Sequence, residues 1–567
     1  MNLIIFDKDF KNIDLINSQK KILSNNKNYL INFSSKNLSL PDWFIYKTLD
    51  ISNLIFLEYK KNRPNLIKKI KNSLTKSPIF AEYKLSEINY SDSVWRTYFE
   101  ILAIKSFVKK KNIKKIIVFS ENKKNYLSLG LSEHFKRNYF HLYTYNNFYY
   151  YFRKFLVAYF IYLNNFRQEL MLSFVLKIFH KKKTFSCRKI LYANFPNHWN
   201  IKSKHYKLLE KKKDNKYLIS LLRNNSSALK DFKNFFLLRD SKIKNTNILE
   251  SYNSMLDIIF IYFKNLISKH QNVTCNFLKE LHLGFFNNEV ERNYRLIERC
   301  KNESFKNSLK NFNKINKIKV LVFPFFEFID GRIISKHCRI NQIESFGFQH
   351  SNLLANSHSR LFDATKSIYT SKLSEYLPKK IFIESLFAKQ ELSELKSIEI
   401  KYYGSFRFNN ILTFKQNKKN KKNILIVMDL HNRVHLEKIF EKIKFRKDSL
   451  VYIRPHPVYY QEYKKKKFNN LTIDLSTNLL NSIKKNKISY VFLSSSTGSF
   501  MDLINTNLNI IIYKVPNHIR DDVFFNNYFY TTNNLTNLNN LSEKRKMNIS
   551  VNKNILLPKK IKKDFYF

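Results

Sequence analysis

Two strand-to-helix junctions in the last third of the chain carry side chains able to hold an anion. The first is Val451-Tyr452-Ile453-Arg454-Pro455-His456-Pro457, an apolar run that ends with one imidazole between two prolines. Pro455 fixes its own φ and keeps Arg454 extended, while Pro457 suits the first turn of a helix, where a missing N–H costs nothing. His456 is thereby held between a strand end and a helix start. An imidazole there donates to a phosphate oxygen or protonates a leaving group, and Arg454 is grouped with it as a phosphate-binding residue. The competing reading is a histidine that caps a helix with no ligand.

The second junction runs from Tyr490 to Asp502. Ser494, Ser495, Ser496 and Thr497, followed by Gly498, stand where a strand gives way to a helix. Hydroxyls and free backbone N–H groups at a helix N-terminus cradle an anion, and the helix dipole favours negative charge there. One hydroxyl suffices for ordinary capping, so four in a row favour phosphate. Asp502 either accepts from ribose hydroxyls or only offsets the helix dipole.

Upstream, Val320–Phe323 runs into Pro324-Phe325-Phe326-Glu327-Phe328-Ile329-Asp330-Gly331. Glu327 sits among aromatics, where desolvation raises a carboxyl pKa toward the value a general base needs near neutral pH; the competing reading is a solvated loop carboxylate. Asp330 is the alternative base, although Asp-Gly is also an ordinary turn signal. Gln349 and His350 follow the next apolar run, and Arg407 follows Gly404-Ser405-Phe406. These three are candidates for the acceptor side of a cleft; the competing readings are a satisfied buried histidine for His350 and a surface arginine for Arg407.

The elements that must position these groups are short, continuous apolar runs separated by helical spacers. Strands are expected at Leu3–Phe6, Tyr29–Phe33, Ile116–Phe119, Lys189–Ala193 and Tyr217–Leu222. Further runs are Ile318–Phe323, Ile343–Phe348, Ser367–Thr370, Ile381–Ile383, Asn423–Met428, Ser449–Ile453, Leu471–Ile473, Tyr490–Leu493 and Asn509–Ile512. Runs without alternation indicate parallel strands buried on both faces. The fold class is therefore α/β, with two doubly wound Rossmann-like domains facing a central cleft and a helical insertion in the N-terminal half. The expected division is an α/β domain over 1–400, a charged linker over 401–422 and a second α/β domain over 423–567. Within the first, an apolar helical hairpin is expected at about 150–183 and the helical insertion at about 225–315.

Composition narrows the class. The 567 residues are 44% hydrophobic and 16% aromatic, enough to bury a sizeable core and to exclude a disordered chain. The formal net charge is +57, from 101 Lys+Arg against 44 Asp+Glu. It suits an anionic partner, yet abundant Lys, Asn, Ile, Phe and Tyr beside six Gly and ten Pro is also the skew of an AT-rich genome. The charge is spread through all segments with no nucleic-acid-binding motif, so nucleic acid is not an expected partner. Four of the six glycines lie between 331 and 498, which is where the chemistry is sought.

Cys187, Cys275, Cys300 and Cys338 form no CxxC pair or zinc spacing, so reduced cytosolic thiols are expected and no metal site. Met1 to Asp7 reads as a strand, not a signal peptide. The apolar stretches Phe155–Leu163 and Leu170–Phe179 fall short of the ~20 residues a membrane span needs. Arg153-Lys154 and Lys181-Lys182-Lys183 flank them. A base-flanked apolar helix pair either lies in a lipid headgroup region or forms a core under a domain.

The RPHP turn, the Ser/Thr run after it and the paired α/β layout resemble the GT-B glycosyltransferases. More narrowly, His-Pro followed by a Ser-Ser/Thr motif is similar to bacterial sialyltransferases and Kdo transferases that use CMP-sugars. The ordered set of Phe325-Phe326-Glu327, Gly347 to Ser351, Leu377 to Ile381 and Gly404 to Arg407 resembles surface-carbohydrate biosynthesis proteins. The resemblance covers residues 320–515 and implies that His456 and the hydroxyls hold the CMP phosphate while Glu327 or Asp330 is the base. It implies an inverting, metal-independent transferase with no cofactor beyond its nucleotide-sugar donor. The acceptor would be a glycan or a lipid-linked sugar, and the setting the cytoplasm, at the inner face of the cytoplasmic membrane where anionic lipid is contacted. Asp7-Lys8-Asp9 matches the metal-binding DxD pattern of other sugar transferases over three residues only. Alternatives are a CDP-glycerol-type phosphotransferase, which carries a similar R-x-H-P turn, and a non-catalytic nucleotide- or carbohydrate-binding relative.

Overall fold

The computed structural model describes residues 1–7, 10–24, 26–34, 40–49, 51–83, 93–122, 126–145, 147–182, 184, 189–193, 217–220, 246–268, 278–281, 289–324, 326, 329–348, 374–383, 398–402, 423–428, 433–440, 449–456, 459–468, 471–476, 479–494, 503, 508–513 and 530–532. These residues build three parallel sheets.

The first sheet is ordered β3-β2-β1-β4-β5, from β1 (Asn2–Phe6), β2 (Asn28–Asn32), β3 (Tyr46–Thr48), β4 (Lys115–Asn122) and β5 (Tyr139–Tyr145). Five helices accompany it: α1 (Asp14–Asn17), α2 (Lys20–Leu23), α3 (Ser52–Lys76), α4 (Ser93–Lys111) and α5 (Tyr126–Phe135). Every residue of β1 is buried. Leu3 and Ile5 pack with α3 and α4 through Ile55, Tyr59, Trp95 and Phe99, while Ile4 and Phe6 pack on the other side with Phe10, Ile16 and Leu23. A strand covered on both faces has no polar side to show, which is why its sequence does not alternate.

The second sheet is ordered β12-β11-β10-β9-β6-β7-β8. Its strands are β6 (Lys189–Ala193), β7 (Tyr217–Ile219), β8 (Thr246–Ile248), β9 (Val320–Pro324), β10 (Glu344–Phe348), β11 (Lys380–Ile383) and β12 (Glu399–Tyr402). The associated helices are α6 (Asn147–Phe179), α7 (Met255–Ile267), α8 (Glu289–Asn316) and α9 (Ile329–Ile340). The third sheet is ordered β15-β14-β13-β16-β17-β18. It comprises β13 (Asn423–Val427), β14 (Val451–Arg454), β15 (Thr472–Ile473), β16 (Ile488–Ser494), β17 (Asn509–Tyr513) and β18 (Tyr530–Thr532), with α10 (Arg433–Phe440), α11 (Tyr460–Tyr463) and α12 (Leu479–Lys485).

All three sheets are doubly wound. In each, the chain enters at an inner strand, lays two strands to one side, and then continues on the other. The order reverses between β1 and β4, between β6 and β9, and between β13 and β16. In such sheets ligands bind outside the carboxyl ends of the strands at the reversal.

The parallel α/β class is as the sequence indicates, with one sheet more than the two expected. The span 1–400 holds two sheets, yet one hydrophobic cluster runs through both, from Leu3 and Val118 to Leu321, Ile381 and Ile398. The third sheet has a cluster of its own, drawn from residues between Ile424 and Tyr513.

Two expectations change. The apolar stretch is a single helix, α6, and not a hairpin. Nothing between Asn147 and Phe179 is a glycine or proline, and the Asn164-Asn165 pair is absorbed into the helix. Asn165 Nδ2 donates to Ile161 O at 2.7 Å, and Arg167 reaches Asn164 Oδ1 at 3.3 Å. The expected helical insertion at 225–315 contains a strand, β8, ahead of α7 and α8. Of the expected linker, Lys401 and Tyr402 belong to β12 and residues 403–422 lie outside the described residues, as does Ser367–Thr370.

Candidate functional site

At the carboxyl edge of the third sheet, the strands that lead to the two junctions both pair with β13. Val427, the last residue of β13, is in register with Arg454 on one side and Leu493 on the other. The ends of β14 and β16 therefore lie two strand spacings apart, roughly 10 Å. Both tips flank β13, and β13 and β16 are the strands between which the order reverses.

Arg454 is buried at the end of β14, and its Nη1 lies 3.1 Å from Asp474 Oδ2 just past β15. Asp474 N donates to Ile453 O at 2.8 Å, and Asp474 Oδ1 accepts from Ser476 N at 3.1 Å and Ser476 Oγ at 2.5 Å. Burial opposes ionisation of Asp474, but the Ser476 bonds and the Arg454 charge outweigh it and hold the carboxyl below its usual range. The guanidinium also lies over the Tyr460 ring at 5.9 Å. Arg454 thus ties the tip of β14 to the segment after β15.

His456 is half-buried beyond Arg454, and its carbonyl accepts from Tyr459 N at 2.8 Å, closing the turn into α11. Ser494 is buried at the end of β16, opposite Tyr513 of β17. Ser495, Ser496, Thr497, Gly498 and Asp502 lie outside the described residues.

Of the upstream candidates, Asp330 is among the described residues, and it follows β9 of the second sheet. Leu191 of β6 is in register with Val322 of β9, so β9 ends at the point where this sheet reverses. Asp330 is buried in the first turn of α9. Two residues on, buried Arg332 donates from Nη1 to Ala81 O at 3.1 Å. The adjacent Glu82 is buried against Lys306 Nζ at 2.5 Å and accepts from Tyr376 Oη at 3.4 Å. These bonds fix the start of α9 against the turn at Pro78–Glu82. Glu327, Gln349, His350 and Arg407 lie outside the described residues.

Gly347 explains one scarce glycine. A Cβ there would stand 2.7 Å from Phe326 Cβ and 2.7 Å from Pro378 Cγ. The backbone of β10 passes directly under the Phe326 turn, and only glycine leaves room.

Sequence reasoning did not single out Asp474, although an acid just after an apolar run is the signal used for Asp330. It also did not single out a cluster beyond β7 and β8. There Glu169, Ser220, Glu250, Lys301, Ser304 and Ser308 line a cavity of about 20 Å³. Ser220 Oγ donates to Glu250 Oε1 at 2.6 Å, and Tyr262 Oη to Glu169 Oε1 at 2.9 Å. Burial pushes the Glu169 pKa up to about 7, against the hydrogen bonds from Ser304 and Tyr262. The volume fits one water and no sugar or nucleotide, so this is a buried polar network.

No protein-family model matches the chain. Over 255 residues, 42% of its length, the chain is 27% identical to protein Ycf2 of Physcomitrium patens, and it covers 10% of that protein. Among solved structures it is similar to CalG4, the calicheamicin glycosyltransferase, at a TM-score of 0.31 and 10% identity. That likeness covers 58% of this chain and 80% of the other. Among the described residues, no helix is long and apolar enough to cross a membrane.

Proposed function

We propose that the chain is an inverting, metal-independent glycosyltransferase that moves a sugar from a CMP-activated donor onto a glycan or lipid-linked acceptor of the cell surface. The single observation that carries the reading is the register of β13 with its neighbours. Val427 stands between Arg454 and Leu493, so the ends of β14 and β16, the strands that lead in sequence to His456 and to the hydroxyl run, flank β13 at the carboxyl edge where the third sheet reverses. Such an edge suits a phosphate. The 423–567 segment would hold the donor and the 1–400 segment the acceptor.

In this mechanism Glu327 or Asp330 takes the proton of an acceptor hydroxyl as its oxygen attacks the anomeric carbon. The bond from that carbon to the CMP phosphate oxygen breaks, and the electron pair leaves on the phosphate. His456 and the hydroxyls of Ser494–Thr497 with the Gly498 backbone stabilise that charge. Arg454 acts through the turn it anchors, Asp502 meets the ribose, and Gln349, His350 and Arg407 shape the acceptor side. The reaction would take place in the cytoplasm, at the inner membrane face.

Transfer from CMP-sugars and from CDP-glycerol, followed with labelled donor on the full chain, tests the reading. Loss of sugar transfer in both His456→Ala and Glu327→Gln, with the fold retained, is the expected result. Near-wild-type turnover in both variants contradicts it. Transfer from CDP-glycerol alone would make the enzyme a phosphotransferase.

A further inference from the structure

Sixteen of the twenty-six exposed large apolar side chains among the described residues lie on two helices, α6 and α7. The two pack together through Tyr162, Phe166 and Tyr262, and both rest on α8 through Ile297 and Cys300. α7 buries Ile258, Ile261, Tyr262 and Asn265. On its opposite side it exposes Leu256, Ile259, Phe260, Phe263, Leu266 and Ile267, repeating at helical spacing. Leu256 is 77% exposed and Phe260 66%. α6 adds Phe160, Phe174, Ile178 and Phe179, also exposed. A surface helix normally turns charged residues outward. α7 is apolar on both sides, and a contiguous apolar face of this kind marks a contact surface.

We propose that α6 and α7 together dock the protein on an anionic lipid bilayer, lying in its headgroup region. Charge selects this occupant. Arg167, Lys177, Lys181, Lys182 and Lys264 are exposed on or directly after these helices. The one acid on these two helices outside the core, half-buried Asp257, is committed to the capping box with Ser254. A second copy of the chain would bring two such basic faces together, within a molecule of net charge +57, whereas an anionic lipid surface attracts each lysine and arginine. Lys264 lies over the Phe260 ring at 5.9 Å, so its stem runs along the apolar face with its charge at the rim. α6 is about 50 Å long at 1.5 Å per residue, but neither it nor α7 is apolar enough to span a membrane. A helix with an apolar face and basic rim that cannot span lies in the interface plane.

This surface deepens the proposed function by giving a lipid-linked acceptor a place to be met. It rests on that reading for the acceptor alone. The membrane contact itself stands on the two helices, and its test uses no nucleotide and no acceptor, so the two can fail separately.

The test is flotation of the full chain with vesicles of phosphatidylcholine alone and of phosphatidylcholine with phosphatidylglycerol, at physiological salt. The wild type floats with the anionic vesicles and not with the neutral ones. Phe260→Gln with Phe263→Gln keeps the charge unchanged and lowers the bound fraction roughly tenfold or more, because two aromatic side chains no longer enter the lipid. Both positions are exposed, and a circular-dichroism melt verifies the fold. As an independent readout, Phe260→Trp gives a fluorescence blue shift on addition of anionic vesicles. No flotation of the wild type, equal flotation with both vesicle types, or full flotation of the Gln variant overturns the proposal. So does sedimentation showing a dimer that the Gln variant dissociates, which would make the face a contact between copies.

Discussion

Arg454 and Asp474 form a buried ion pair, Nη1 to Oδ2 at 3.1 Å, at the base of the turn that presents His456. Both side chains are more than nine-tenths buried. Removing one partner of such a pair leaves an uncompensated charge in the interior. Asp474→Ala is therefore expected to destabilise the protein by about 3–5 kcal/mol, read by urea unfolding. An unchanged midpoint would show that Arg454 does not depend on Asp474.

Gly347 gives a steric prediction. In Gly347→Ala the new methyl would meet Phe326 Cβ and Pro378 Cγ, each 2.7 Å away. Neither atom is the free end of a flexible chain, so the backbones of β10 and its neighbours must separate. A loss of about 1–3 kcal/mol is expected, the usual cost of overpacking. Equal thermal stability of the variant and the wild type would contradict it.

The pH dependence of stability has a component from Glu169. Burial raises its pKa in the folded protein to about 7 from the ordinary 4.5. Between these values the folded state holds a proton that the unfolded state has released, so this contribution falls as pH rises from 4.5 to 7 and is constant above. The full effect is roughly 3 kcal/mol at 1.36 kcal/mol per pH unit. Glu169→Gln removes it, so the variant's stability rises relative to the wild type through that window and keeps that relative gain at pH 8. Urea unfolding at a series of pH values checks this; parallel profiles would contradict it.

His337 acts in the opposite direction. Burial pushes its imidazole down to about 4. The unfolded chain takes up a proton near pH 6.5 while the folded protein stays neutral, so stability is lost as pH falls from 6.5 to 4. His337→Gln is expected to flatten that part of the profile. Unfolding midpoints of the variant that still track the wild type across the window would contradict the assignment.

How much of this was legible in the sequence depends on where each strand lies. β1, β4, β13 and β16 are inner strands, covered on both faces, and their continuous apolar runs read directly. β3, β5, β8, β12 and β18 did not stand out, and each is an edge strand. Tyr46–Thr48 is wholly exposed, so burial leaves no apolar mark on it. With both its edges unread, the first sheet could not be counted as a unit, and three sheets read as two.

The candidate site drew attention in the sequence for a related reason. In a chain with six glycines and ten prolines, Pro455 directly follows β14 and Gly347 lies where a Cβ would clash. Partners across the fold leave no such trace. Asp474 is twenty residues from Arg454, and Glu169 and Glu250 meet only once α6 lies beyond β8. The outward face of α7 was hidden because its surroundings are rich in Asn and Lys.

The central claim is that the two junctions flanking β13 close on one cytidine nucleotide, and calorimetric titration of CMP into the full chain and into His456→Ala tests it most directly. Saturable binding by the wild type, weakened at least about tenfold in the variant by the loss of a charge-assisted phosphate contact, is the predicted result. No heat with the wild type, or equal affinity in both proteins, would contradict the account.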